Sequence, residues 1–518
     1  MKLFGYEINI RKNQQHYGVY IHKNKRNYEA AKLNRLTADW LTSGNLMADE
    51  ILKWQLPKLR DRSRDLWIND DYAKNFGRKL KVNVIGTQGI GLQSKVRLKN
   101  DEFDIDMNKH LESKWAEFSF KNNASICGTQ SMKDLCNTAI ESCARDGEVL
   151  IRKITNADNK FKFTLQVLEA DHLDISYNED LSNGNKIKLG IEKTKAGKPI
   201  AYHIFESHPG NNILYQRRLR IPADEIIHIF IQDRPSQSRG VPWAHTALLK
   251  LRHLGAYEEA AVINARVGAS KMGFIIPPEG GNYEGDDKDS DGNTITEVDS
   301  GVIEKLMAGA DFKEFTAAYP NGEFPLFTKA MLRGVASGIG CSYNSLANDL
   351  EGVNFSSLRS GLLEERDGWK VVQSWFIEHF LDDVFKSWLE MAILSGQVKA
   401  SILDMERLIT PYTPKWQARI WEWVDPLKDI QANVEALKAG LTSRTKICAE
   451  QGIDFEDLIE QLAEEEKLMK KYGISFNMDD SKITEKPYDE QEGGDSNASG
   501  QSNKTWKTIQ NLPSKQAA

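Results

Sequence analysis

Cysteine is scarce: five residues in a chain of 518, and no C-x-x-C pair. That excludes a disulfide scaffold and fits synthesis in a reducing cytosol. Long apolar runs are missing as well. Ile226-Ile227-His228-Ile229-Phe230-Ile231 is among the longest, far short of the ~18 residues a membrane helix needs. Met1-Lys2-Leu3-Phe4-Gly5-Tyr6-Glu7 opens the chain without the apolar core of a secretory signal, so none is expected. There is no G-x-x-x-x-G-K-[ST], no G-x-S-x-G and no H-E-x-x-H. A P-loop ATPase, a serine-hydrolase elbow and a zincin are therefore not expected. No nucleophile, base and oxyanion set coheres, which favours a structural or mechanical protein.

The composition is that of ordinary soluble protein, 40% hydrophobic and 27% charged, in a length that suggests about three domains. Net charge is −6, unevenly placed. Residues 1–100 hold 20 Lys/Arg against 9 Asp/Glu, whereas 454–495 hold 14 acids against 5 bases. A protein that grips DNA through many phosphates is normally basic overall. Any DNA contact by this chain is expected to be loose, and its basic first part to be mostly solvated helix surface.

Residues 28–80 read as helical, interrupted by Pro57, and Lys81 to Gly86 as a short strand. Residues 104–120 resume a helix. Ser131 to Arg145 is the clearest amphipathic helix: Met132, Leu135, Cys136, Ala139, Ile140, Cys143 and Ala144 share one face. Ser131 with Asp134 forms a capping-box pattern, and Gly147 is placed to end the helix. Strand signals follow at 148–154, 161–168, 187–191, 200–205 and 226–231. Strand after strand with few helices between them predicts an α+β fold rich in antiparallel pairing. A helix from Pro242 to about Lys271 would be some 45 Å long at ~1.5 Å per residue. Another helix is predicted over Phe327–Ile339. After the polar loop Asn348 to Asn354, a very long helix is predicted from Ser356 to about Gly396, with kinks at Gly361 and Gly368. Short helices broken by Gly440 and Gly452 occupy 427–472, and from Met478 the composition is that of a disordered tail.

Two strings carry weak chemical signals. Gly86-Thr87-Gln88-Gly89-Ile90-Gly91 has its glycines in the wrong order for a dinucleotide loop and reads as a tight turn between strands. Asp287, Asp289 and Asp291 with Gly292 resemble a calcium loop, but Val298 stands where the bidentate Glu belongs, so a solvated acidic hairpin tip is the expectation. Cys136 and Cys143 read as small core residues. The six tryptophans between 369 and 423 read as core and subunit contact.

Several strings together resemble the lambda-type bacteriophage portal (head-tail connector) protein family. They are Leu59-Arg60-Asp61-Arg62-Ser63-Arg64-Asp65-Leu66; Asn83-Val84-Ile85-Gly86 with Gly89-Ile90-Gly91-Leu92-Gln93; Gly240-Val241-Pro242-Trp243 leading to Tyr257-Glu258-Glu259-Ala260; Tyr343-Asn344-Ser345-Leu346 through Asp349 to Asn354-Phe355-Ser356-Ser357-Leu358-Arg359; and Trp423-Val424-Asp425-Pro426-Leu427-Lys428-Asp429 with Gly440-Leu441-Thr442-Ser443 after it. They fall in the family's order over about residues 28–475.

The resemblance implies a non-enzymatic ring subunit, usually of twelve copies, at one vertex of the virion capsid, made in the bacterial host cytoplasm. DNA would pass non-specifically through its channel. The terminase large subunit, the major capsid protein or scaffold, and head-tail connector proteins would be partners; neither cofactor nor membrane is implied. The implied layout is an N-terminal arm at 1–27, wing at 28–240, first stem helix at 241–272, clip at 273–325 and second stem helix at 326–347. A channel loop at 348–355, a second wing part at 356–426, a crown at 427–477 and the tail at 478–518 complete it. Asn348, Glu351, Gly352 and Asn354 would line the narrowest part of the channel; Lys250, Arg252, Arg266 and Lys271 are stem candidates. A metal-dependent nucleic-acid-processing enzyme of a mobile element, using Asp287, Asp289 and Asp291, is the alternative, followed by a monomeric calcium-binding adaptor.

Overall fold

The computed structural model describes residues 2–3, 6–13, 16–23, 44–100, 102–211, 216–269, 273–276, 287–288, 294–295, 311–314, 322–410, 413–421, 426–451, 453 and 455–472. Two compact units are present, residues 1–452 and 453–518. In the first, β1 (Lys2–Leu3), β2 (Tyr6–Asn13) and β3 (His16–Lys23) form an antiparallel sheet. Helices α1 (Ala48–Asn69) and α2 (Asp71–Leu80) lead to β4 (Gly91–Gln93), α3 (Ile105–Phe118), the single turn α4 (Lys121–Ala124) and α5 (Met132–Asp146). Then come β5 (Glu148–Thr155), β6 (Phe163–Leu168), β7 (Glu179–Asp180), β8 (Lys186–Lys188), β9 (Ile191–Lys193), β10 (Pro199–Phe205), β11 (Arg218–Pro222) and β12 (Ile226–Phe230). They make two sheets, ordered β12-β5-β6 and β11-β10-β9-β8-β7. All their strand ladders are antiparallel, as predicted.

Helix α6 (Leu248–Ala269) follows, then β13 (Gly273–Ile276), β14 (Asp287–Lys288), β15 (Thr294–Ile295), β16 (Asp311–Glu314) and α7 (Glu323–Ile339). The short α8 (Tyr343–Ala347) precedes α9 (Phe355–Phe376), a π-helical turn (Ile377–Leu381) and α10 (Asp382–Leu394). The unit ends with α11 (Met405–Leu408), β17 (Lys415–Gln417), α12 (Pro426–Lys438) and α13 (Arg444–Glu450). The second unit contributes α14 (Phe455–Tyr472), an amphipathic helix whose Ile459, Leu462 and Leu468 are exposed. Among the described residues no helix is long and apolar enough to cross a membrane.

The main core forms where α10 and α3 meet the three-stranded sheet. Trp388 and Phe385 pack edge-on against Trp115, and Phe118, Phe161 and Phe163 complete the aromatic cluster. Such pairs add about 0.5–1.5 kcal/mol each beyond their area burial. Cys136 and Cys143 are buried in the same core, as predicted. The Ser131–Asp134 capping box and the left-handed Gly147 bound α5 as its sequence indicated.

Six expectations need correction. Lys81 to Ile85 is not a strand but a π-helical turn continuing α2. Phe76, Leu80, Val84 and Ile85 are all buried on one face. The carbonyls that the wider turn frees are taken by other segments: Arg419 donates to Val82 O (2.7 Å) and Gln373 to Asn83 O (2.7 Å). Gly86 to Gly91 therefore joins a helix to a strand, and only Gly91–Gln93 pairs, with β17. Helix α1 continues through Pro57. An interior proline costs about 3 kcal/mol, offset by the buried face Leu52, Leu56, Arg60, Ser63 and Leu66.

Helix α6 starts at Leu248 rather than Pro242, so its 22 residues span only about 33 Å. The residues before it are tied to the end of α5, where Trp243 N donates to Ala144 O (2.9 Å). Finally, α9 passes through Gly361 and Gly368 in open surroundings, and the break in the long helix is the π-turn at 377–381 instead. The single predicted strand 187–191 is two, β8 and β9, separated by Leu189 and Gly190 at positive φ.

Candidate functional site

Three of the quoted strings converge on one structural junction and one loop. At the junction, the carboxylate of Glu148, the first residue of β5, is fully buried. Arg60 of α1 pairs with it, Arg239 donates from Nε (2.6 Å), Gly240 donates from its backbone N–H (2.9 Å), and His228 Nε2 lies 2.9 Å away. Burial opposes the charge, but Arg239, Arg60 and the His228 hydrogen bond outweigh it and hold the carboxyl well below the usual carboxylate range.

Arg239 also donates to the carbonyls of Ala170 (3.0 Å) and Leu189 (3.0 Å). Arg60 donates to Asp146 O (2.9 Å), Ser63 to Arg145 O (2.6 Å) and Arg64 to Asp146 Oδ1 (2.8 Å). Gly147 and Gly240 press backbone against backbone, so a Cβ at Gly240 would overlap the Gly147 carbonyl. The Arg60-Asp61-Arg62-Ser63-Arg64 string thus binds α1 to the α5–β5 corner. The Gly240-Val241-Pro242 string binds the approach to α6 to that same corner.

From the junction α6 rises beside α7 as an antiparallel hairpin. Thr246 Oγ1 donates to Gly338 O (3.2 Å), and Lys250 Nζ lies 3.1 Å from where a Cβ on Gly334 would be. Farther along, the Tyr257 ring meets Phe327 (4.9 Å) and Phe324 (5.5 Å). Gly334 and Gly338, one turn apart on α7, permit this approach. Of the predicted stem residues, Lys250 faces α7, Arg252 and Arg266 are exposed, and Lys271 lies outside the described residues. On its exposed side α6 carries Leu249 (66%) and Ile263 (50%) with Ala256 and Ala260 between them.

Asn348, Glu351, Gly352 and Asn354 stand together in the loop between α8 and α9. Asn348 ends α8 in the left-handed region (φ 52°), Gly352 has φ 69°, and Asn354 caps α9 by accepting from Ser357 N (2.8 Å). The loop is pinned from within and from α7. Tyr343 donates its hydroxyl to Asp349 Oδ2 (2.7 Å), Glu351 N donates to Asp349 Oδ1 (2.9 Å), and Lys329 Nζ reaches Asp349 (3.2 Å) and Glu351 (2.8 Å). The Tyr343 hydroxyl, the Glu351 N–H and Lys329 together bring Asp349 down to about 2, so the pin persists into acid. Asn75 of α2 donates to Ser345 O and Leu346 O, anchoring α8 below. Tyr343 and Asp349 fall inside a quoted string. Lys329 does not, and nothing local marks it as the partner of residues some 20 positions downstream.

Asp287 begins the β14–β15 hairpin, in register with Ile295, while Asp289 and Asp291 lie outside the described residues. Among the described residues one trio, Glu169, Asp171 and His208, brings three ligand atoms together. Arg64 already pairs with Asp171 there, and that cation opposes a metal ion.

Comparison with known proteins then places the molecule. The family "Phage portal protein, lambda family" matches residues 33–373. The probable portal protein of Halomonas phage phiHAP-1 is 37% identical over 490 residues, covering 92% of this chain and 93% of that protein. Portal protein B of Escherichia phage lambda is 21% identical over 453 residues, covering 78% of this chain and 82% of that protein. A solved chain from the neck of an empty GTA particle computed with C6 symmetry aligns at a TM-score of 0.42 and 14% identity, over 77% of this chain and 94% of that one, a likeness too loose to support inference. The family match spans more than half of the chain and the 37% identity nearly all of it: this protein belongs to the lambda family of phage portal proteins.

Proposed function

We propose that copies of this chain close into a ring at one capsid vertex of a phage virion, and that the ring is the channel for DNA packaging and ejection. In this reading α6 and α7 are the stem, residues 273–325 the clip, 348–355 the channel loop and 427–477 the crown. The terminase large subunit docks on the ring, head-tail connector proteins follow it, and the major capsid protein or scaffold surrounds it. The family is structural, so the reading is a channel subunit rather than the metal-dependent enzyme that the aspartate string left open.

The observation that carries it is the exposed apolar stripe along α6. Leu249, Ala256, Ala260 and Ile263 recur at helical spacing on the exposed side of α6. A stripe of that kind on a long hairpin marks a protein contact. Subunits around an axis meet heterologously, each offering one surface to the surface of the next.

Replacing both Leu249 and Ile263 by Lys tests it. The side chains are exposed, so the chain should keep its far-UV circular dichroism and unfolding midpoint. Ring assembly, read by native mass spectrometry, should be lost. Normal ring formation by the double variant would remove the stripe from the interface.

A further inference from the structure

We propose that Glu351 is an electrostatic shield for Lys329, a positioning residue that keeps the channel loop from gripping DNA. The inference rests on the channel reading above. Lys329 is the cation that α7 directs at the loop, with its side chain 29% exposed, and Glu351 caps it at 2.8 Å with a side chain 81% exposed. The carboxylate is therefore the outermost charge of the pair. Asp349, 21% exposed and held by the Tyr343 hydroxyl, is the inner partner. Two carboxylates thus meet one ammonium, and a passing duplex encounters negative charge first.

The arrangement has a physical purpose. Each phosphate neutralised by a protein cation releases counterions, and at 0.1 M salt that is worth about tenfold in affinity per contact. In a ring the contact repeats with every subunit, and the product would brake a sliding duplex. An ion pair that occupies the ammonium removes the brake while leaving Lys329 to hold the loop in place. The glutamate lies on the loop, next to Gly352 at positive φ, and the lysine on α7.

The test uses assembled rings of four proteins: wild type, Glu351→Gln, the double variant Glu351→Gln/Lys329→Gln, and Glu364→Gln as a charge-matched control on exposed α9 surface. The readout is affinity for a short blunt duplex as a function of salt, with ring formation scored beforehand by native mass spectrometry. Glu351→Gln leaves the ammonium outermost and offset by Asp349 alone, so with the contact repeated around the ring it should bind at least about tenfold tighter at 0.1 M salt, with a steeper log K against log salt. The double variant should return to wild type, and Glu364→Gln should not differ from it. Glu351→Gln rings with wild-type affinity and slope, or tightening that Glu364→Gln reproduces, would overturn this inference alone. A wild-type protein that forms no ring would overturn the channel reading and this inference with it.

Discussion

Glu148→Ala should cost the folded chain about 3–5 kcal/mol, the usual penalty for removing one partner of a buried ion pair. The variant leaves the guanidiniums of Arg60 and Arg239 facing each other without water, and takes the acceptor from Gly240 N. Four segments lose their common anchor at once: α1, the α5–β5 corner, β12 and the approach to α6. Urea unfolding followed by circular dichroism measures the effect, and a loss below about 1 kcal/mol would show that the junction is not the anchor described.

The pH dependence carries a signature of the same cluster. Burial holds His228 below its ordinary pKa, so it stays neutral in the fold while the unfolded chain takes up a proton. Stability therefore falls as pH drops below about 6.5. The Glu148 carboxyl is depressed in the fold, so its contribution is complete above the unfolded value of about 4.3 and is lost as pH falls toward the folded one. Glu148→Ala should remove that acid limb.

Replacing residues 348–354 by a short glycine linker should leave ring assembly intact and reduce packaged genomes to background. The elements around the loop are held independently of it. Asn75 anchors α8, and Ser342 donates to Glu365 across to α9 (2.7 Å). The deletion removes Asp349 and Glu351 and the cap that Asn354 supplies, a loss of about 1 kcal/mol that the chain can bear. What disappears is the segment that the channel reading places at the narrowest part of the duplex's path. Nuclease-protected DNA per particle is the measurement. Packaging at wild-type level would take the loop out of the channel.

Much of the scaffold was legible because local rules and tertiary demands agreed. The Ser131–Asp134 box, the apolar face of α5 and Gly147 all pointed to one helix, and that helix forms. The turn at 81–85 misled because Val82, Val84 and Ile85 satisfy a strand pattern while Val84 and Ile85 equally continue the buried face of α2, and contacts with Arg419 and Gln373, 290 or more residues away, decide between them. The break in the long helix could not be read from its glycines, since Gly361 and Gly368 stand in open space and no tertiary contact exploits them. The junction was half visible. Arg60, Ser63 and Arg64 belonged to a quoted string, but Glu148 heads an apolar strand and its partners come from three distant segments. Lys329 was invisible for a similar reason, because its carboxylates lie across a helix end, beyond any i, i+4 spacing.

The most direct test is to image the purified full-length assembly along its axis by electron microscopy. The account predicts a closed ring with a central opening wide enough for a DNA duplex, with α6 and α7 of every subunit around that opening. A closed assembly without a hole, or a lone subunit with the α6–α7 hairpin folded into its own core, would contradict it.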